Sequence, residues 1–283
     1  MTHHHLTEDP IDSAERRDPD PAPTYHSYLH LDDLLTLQRP RSEHRDELHF
    51  IVAHQSIELW FQLLLHDLRH AISFIDQDRW YQATAAMTRV SRTVALVIEA
   101  THGLRDLPAG GFHQFRGYLG SASGAQSTQY RQIEILSGLR DESHLATQRK
   151  FSGGCVPSVV VDALRERSLA DAHQAAGRRH GLTEWADLWD RDIADSPLYG
   201  LSEQLLEYDE LWVRWRTEHI ALVERMSGLS STGTAGTDPM TFLGQTLRYR
   251  FFPYLWTARA TLATRGTKGE LAHRTRRNSR RRS

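Results

Sequence analysis

Cysteine is nearly absent: Cys155 stands alone among 283 residues. An internal disulfide framework and a cysteine-built zinc site are therefore excluded, which fits a reducing compartment. Long apolar runs are missing as well. The most apolar stretch is interrupted by His54, Gln55, Glu58 and Gln62, so it does not read as a membrane span, and the polar N-terminus holds no signal-peptide core. A cytoplasmic chain is the expectation. Strand-like alternation is scarce and no repeat of roughly 20 to 50 residues is visible.

What is present is enough for a sizeable core, with 39% hydrophobic residues. The formal charge of −2 hides a split, because six arginines crowd between Arg274 and Arg282 and the rest of the chain would stand at about −8 without them. An acidic body argues against a nucleic-acid groove, and the basic tail reads as a solvated end. Residues 1–23, rich in Asp, Pro and His without apolar periodicity, read as a disordered segment, and 263–283 as a basic, disordered tail. Between them, 24–262 is expected to form one helical domain.

Hydrophobic spacing predicts the elements of that domain. Leu48, Ile51, Val52, Leu59, Trp60, Leu63, Leu64 and Leu68 recur at three- and four-residue steps and predict a long helix from Ser42 to about Phe74. Met87, Val90, Val94, Val97 and Ile98 form the stripe of a second, from about Asp78 to Thr101. Gly103, Pro108, Gly110 and Gly111 then break the chain. Further helices are expected over 112–119, 129–139, 156–178, 200–228 and 240–258, the last interrupted near Pro253. The fold class expected is all-α: a helical bundle with a pocket between its helices.

Taken alone, a histidine on an apolar stripe is an ordinary core or surface residue. His219 has company. It sits four residues after Trp215 on a face extended by Trp212 and Leu222. Three earlier blocks accompany it: Thr24-Tyr25-His26-Ser27-Tyr28-Leu29, "DELHFIVAHQSIELWFQLLLHDL" from Asp46 to Leu68, and "FRGYLGSASGAQSTQYRQIE" from Phe115 to Glu134. "RYRFFPYLW" follows from Arg248 to Trp256. In this order and at these separations the blocks resemble the tryptophan 2,3-dioxygenase family, haem enzymes that open the indole ring. The resemblance runs from Tyr25 to Trp256 and is thin between Asp141 and Pro197.

The resemblance implies a cofactor and a site. His219, in the W-R-x-x-H segment, corresponds to the axial ligand of a haem b that is ferrous in the active state. Phe50 and His54 correspond to residues on the opposite side of the haem, the ring packing on the indole and the imidazole meeting the indole nitrogen. Arg116 in the F-R motif offers two parallel donors suited to a carboxylate. Phe112 and Leu119 would line the indole pocket, Ser123 would approach haem and substrate, and Thr234 in Gly233-Thr234-Ala235-Gly236-Thr237 would take the ammonium. Tyr25 and Tyr28 match tyrosines that reach the site in part from a neighbouring subunit, implying a homo-oligomer, expected to be a tetramer.

The implied reaction inserts both atoms of O2 across the indole C2–C3 bond of L-tryptophan, giving N-formylkynurenine, the opening of tryptophan catabolism by the kynurenine pathway. Two positions depart from the family pattern: Ala125 stands where a phenylalanine is usual, and Ala235 where a second glycine is. Both bear on the substrate, so a substituted tryptophan, methylated for instance and oxidised with one oxygen atom, stays open as the alternative. A haem-free helical interaction protein is the rival of another class.

Overall fold

Thr24 opens the first helical turn. Its hydroxyl accepts from the Ser27 amide at 3.2 Å, and the Ser27 hydroxyl accepts from the Thr24 amide at 2.9 Å, a reciprocal cap that satisfies two otherwise orphaned donors. The computed structural model describes residues 22–140, 145–146, 149, 154–189, 196–228 and 239–265. In its first unit, which ends at Arg39, two short helices, α1 (Tyr25–Leu29) and α2 (Leu31–Leu34), meet at His30, whose backbone is left-handed. Tyr25 and Tyr28 are each 73% exposed there.

The second unit begins at Pro40 and is built on two long helices, α3 (Arg45–Asp76) and α4 (Trp80–Gly103). They pack on each other through Leu64, Leu68, Ile75, Met87, Val90 and Val94, all fully buried. Fully burying a side chain of this size stabilises by about 1.5–3 kcal/mol, so this seam is the backbone of the core. The remaining helices are α5 (Ala109–Phe115), α6 (Thr128–Ser137), α7 (Ser158–Arg165), α8 (Leu169–Arg179), α9 (Pro197–Ser227), α10 (Pro239–Thr246) and α11 (253–265). Helix α9 packs on α4, while α6 and α8 pack on α3. Among the described residues there is no strand, and the fold is all-α as expected.

Three of the expected helices are divided or reshaped. The single helix expected over 156–178 is two, because Ser168 starts a new helix: its hydroxyl accepts from the Asp171 amide and the Asp171 carboxylate accepts from the Ser168 amide, both at 3.1 Å. The helix expected over 240–258 is also two. Pro253 does not interrupt the second but opens it, a position where its missing N–H costs nothing. The helix expected over 112–119 starts earlier, as α5, and tightens into a 3-10 turn over Arg116–Leu119.

One buried acid ties the C-terminal part to α9. Asp209 is fully buried and its carboxylate accepts from the Phe251 amide at 3.0 Å, the Phe252 amide at 3.3 Å and the Trp256 indole at 2.9 Å. Burial raises the Asp209 pKa, although these donors and Arg216 oppose the shift. Gly138 permits the neighbouring contact. An added Cβ would lie 2.7 Å from the Ala170 Cβ, and its φ of 132° suits glycine in any case.

Candidate active site

A cavity of about 310 Å³ lies between α3, the end of α4, α5 with its 3-10 turn, and α9. Each element contributes by its period. On α3, Phe50, His54, Ile57, Glu58 and Phe61 fall on one face and line the cavity. On α9, Trp215, His219, Val223 and Ser227 do the same at four-residue steps. Gly111 lets α5 sit against the start of α3: an added Cβ there would come within 2.8 Å of an Asp46 carboxylate oxygen. That close approach brings Phe112, Arg116 and Leu119 to the cavity wall.

His219 is half-buried because its ring faces the cavity, yet it is otherwise enclosed by protein. Burial, with some help from nearby His54, drives its pKa down to about 4. The imidazole is therefore neutral near pH 7. It lies parallel to the Trp215 indole, ring centroids 5.3 Å apart with 5° between planes, and makes no hydrogen bond to a described residue. A neutral imidazole facing an apolar-walled space is a donor that would suit a haem iron. Among the described residues no group of three or more His, Cys, Asp or Glu could hold a metal ion.

Across the cavity, His54 and Phe50 are held as a pair. The imidazole Nδ1 lies 2.8 Å from the Phe50 carbonyl oxygen; a carbonyl only accepts, so Nδ1 carries the proton and Nε2 is left as the acceptor, without a partner among the described residues. Burial lowers the His54 pKa, with that hydrogen bond and Glu58 opposing. Phe50 is braced by Phe112 and Phe115, with ring centroids at 5.8 and 5.6 Å. Arg116 is half-buried, its guanidinium carbon 6.0 Å from the centre of the Phe112 ring.

Ser123 caps another 3-10 turn, Gly124–Gln126, its hydroxyl accepting from the Ala125 amide at 3.3 Å. Ser127 caps α6 directly afterwards, accepting from the Tyr130 amide at 3.2 Å. The loop is thus pinned at both ends, with Ala125 on the cavity wall. Phe50, His54, Phe112, Arg116, Leu119, Ser123 and His219 all line the same space. Tyr25 and Tyr28 belong to the first unit, and Thr234 and Ala235 lie outside the described residues.

Sequence reasoning missed several lining groups. Ile57, Glu58 and Phe61 follow His54 at three, four and seven residues, so their spacing carried the signal. Glu58 accepts from the Gln129 side-chain amide at 2.8 Å. Arg131 and Arg216 are buried at the cavity edge and share one carboxylate, Glu134, at 2.6 and 3.7 Å. Arg131 stands three residues before Glu134 on α6, whereas Arg216 reaches it only through the fold. A roomier cleft of about 420 Å³ elsewhere is lined by Arg140, Arg165, Arg167, Arg178 and polar neighbours. Most of those guanidiniums are paired, Arg140 with Asp171, Arg165 with Asp162 and Arg167 with Asp76, and the cleft has no apolar wall for an aromatic ligand.

The sequence pattern of the family described as Tryptophan 2,3-dioxygenase matches residues 10–191 and 189–262. The chain belongs to the tryptophan 2,3-dioxygenase family. A relative named Tryptophan 2,3-dioxygenase from Caulobacter vibrioides is 37% identical over 261 residues, covering 84% of this chain and 98% of the relative. One of the same name from Bacillus thuringiensis subsp. konkukian is 34% identical, covering 84% and 92%. A third, from Bradyrhizobium diazoefficiens, is 32% identical over 276 residues, covering 90% and 98%. Members of the tryptophan 2,3-dioxygenase family thus match this chain over nearly their whole length.

Proposed function

We propose that this chain is a haem-dependent dioxygenase that cleaves the indole C2–C3 bond of L-tryptophan with O2 to give N-formylkynurenine. The observation that carries the reading is the convergence of His219, His54 and Arg116 on one largely apolar cavity. Haem b, held at His219 and ferrous in the active state, would supply the activation of O2. The remaining work belongs to side chains. The Arg116 guanidinium binds the substrate carboxylate with two parallel donors. His54 Nε2 accepts the indole N–H, which fixes the ring in the plane where C2 and C3 react. Phe50, Phe112 and Leu119 enclose the indole and exclude water, so orientation is maintained without a competing solvent network.

Proton removal by His54 is not required, because indole C3 is nucleophilic without it. Ser123 completes the wall near the substrate, Thr234 takes the ammonium, and Tyr25 and Tyr28 reach the site from a neighbouring copy. A homotetramer is part of the same reading. Support for association comes from the face of α3 opposite the cavity, where Leu48, Val52, Leu59 and Leu63 are each at least 40% exposed on one stripe. A cytoplasmic setting belongs to the reading too, resting on the exposed free thiol of Cys155; among the described residues no helix is long and apolar enough to cross a membrane.

A second reading, oxidation of a substituted tryptophan, is favoured by one observation: Ala125 is on the cavity wall. Aerobic turnover by the haem-loaded, reduced protein decides between them. Formation of N-formylkynurenine from L-tryptophan, followed by its absorbance, is the expected result. Turnover of a ring- or β-methylated tryptophan with none of tryptophan itself would establish the second reading instead.

A further inference from the structure

Two consecutive residues at the end of α4 grip α9 on the turn that carries His219. Thr101 is buried, and its hydroxyl accepts from the Trp215 indole N–H at 3.0 Å while donating to the Val97 carbonyl at 2.8 Å. The direction of both bonds is forced, since an indole nitrogen only donates and a carbonyl only accepts. His102, the next residue, meets the Glu218 carboxylate, which also accepts from Arg214 at 2.9 Å.

Trp215 is wedged on its other edges by Tyr130 and Trp212, with ring centroids at 5.0 and 5.4 Å. Among the described residues the single polar tether of the indole is Thr101. The His219 imidazole lies parallel to that indole one helical turn further on and makes no hydrogen bond to a described residue that would fix its plane.

We propose that Thr101 is a positioning residue for His219: its hydroxyl sets the plane of the Trp215 indole, and the stacked indole sets the plane of the imidazole. This rests on the reading of His219 as the haem ligand. A histidine ligand commonly has its ring oriented by a hydrogen bond from its second nitrogen. In this chain an aromatic face held by a remote hydroxyl performs that orientation.

The test uses the haem-loaded protein with Thr101→Val, Thr101→Ser, Trp215→Phe, the double variant Thr101→Val with Trp215→Phe, and His219→Ala. Two quantities are read: the iron–histidine stretching frequency of the ferrous form by resonance Raman, and the rate of haem loss to an apo-globin trap. Thr101→Val is expected to shift the frequency and speed haem loss by about tenfold, at the low end for a group that orients a metal ligand. Thr101→Ser, which keeps the hydroxyl, should match the parent protein. Trp215→Phe keeps the ring and loses the N–H, so it should behave like Thr101→Val, and the double variant should be no worse than either single change.

A merely structural threonine would lower the melting temperature without moving the frequency, and that outcome overturns the proposal. Additive effects in the double variant overturn it too. An unchanged iron–histidine band in His219→Ala would remove the ligand assignment itself, a failure distinct from an unmoved Thr101→Val in a protein whose His219→Ala variant has lost its haem.

Discussion

His54 donates its Nδ1–H to the carbonyl of Phe50 at 2.8 Å while the two rings meet at a tilt of 40° with centroids 4.1 Å apart. One helical turn thereby fixes both the aromatic wall of the cavity and the tautomer of the histidine facing it. With Nε2 as acceptor, the expected partner is the indole N–H. Replacing His54 by Ala should lower kcat/KM for tryptophan by about three- to tenfold, the worth of one neutral hydrogen bond. The loss should disappear for N1-methyltryptophan, which has no N–H to offer. Equal losses on both substrates would show that His54 does something other than bind that proton.

Arg116 carries a sharper expectation. Truncation to Ala leaves a substrate carboxylate unpaired in a partly dry pocket, so kcat/KM should fall by the equivalent of about 3 kcal/mol or more. Arg116→Lys should restore little of it, since an ammonium cannot present two parallel donors. Tryptamine, which lacks the carboxylate, should be a poor substrate for the parent protein and should lose little further in Arg116→Ala.

His219→Ala should lose most of the haem, read as loss of the Soret band after reconstitution and desalting. No covalent attachment motif is present to retain it, because Cys155 is the chain's only cysteine. A stoichiometric Soret band with an unchanged ferrous spectrum would eliminate His219 as ligand.

Much of the fold and the site was legible from period and punctuation. The stripe Met87, Val90, Val94, Val97 of α4 is fully buried, because a helix packed on two neighbours has no other way to hide those side chains. The α3 stripe was read less well. Leu64 and Leu68 are buried, but Leu48, Val52, Leu59 and Leu63 face outward, since a helix apolar on more than one side does not say which side meets its own core. The break at Ser168 was missed because its cap is a reciprocal bond between two small polar residues, with no glycine or proline to announce it. Likewise, nothing in sequence spacing pairs Thr101 with Trp215, 114 residues apart.

Position 125 offers a test of selectivity. Ala125 is half-buried on the cavity wall within a loop capped at both ends. Filling that space in Ala125→Phe should raise the preference for tryptophan over ring- or β-methylated analogues, by about 1 to 3 kcal/mol, the usual discrimination of a single methyl group. Specificity constants for each substrate in both proteins measure it. Equal rejection of the analogues by both would mean that residue 125 does not set the limit.

A buried histidine away from the cavity predicts acid lability. His173 is fully buried, bridging Ser202 at 2.9 Å and Tyr254 at 2.7 Å, and burial drives its pKa down to about 3. In the unfolded chain the same group takes up a proton near its ordinary value of about 6.5. Between those two values the unfolded state holds the extra proton, so stability rises with pH and is lost as pH falls from about 6.5 toward 3. The slope from this residue is about 1.4 kcal/mol per pH unit at most. Urea unfolding of the haem-free protein at pH 5, 6 and 7 gives the slope, and His173→Gln, though less stable at neutral pH, should flatten it. An unchanged slope would assign the acid lability to other groups.

The central claim is that this cavity inserts both atoms of one O2 into L-tryptophan. Mass spectrometry of the product formed under 18O2 tests it directly. The account predicts N-formylkynurenine carrying two labelled oxygens in the freshly formed product. A product with a single labelled oxygen, or N-formylkynurenine whose second oxygen comes from water at the earliest times, would contradict it.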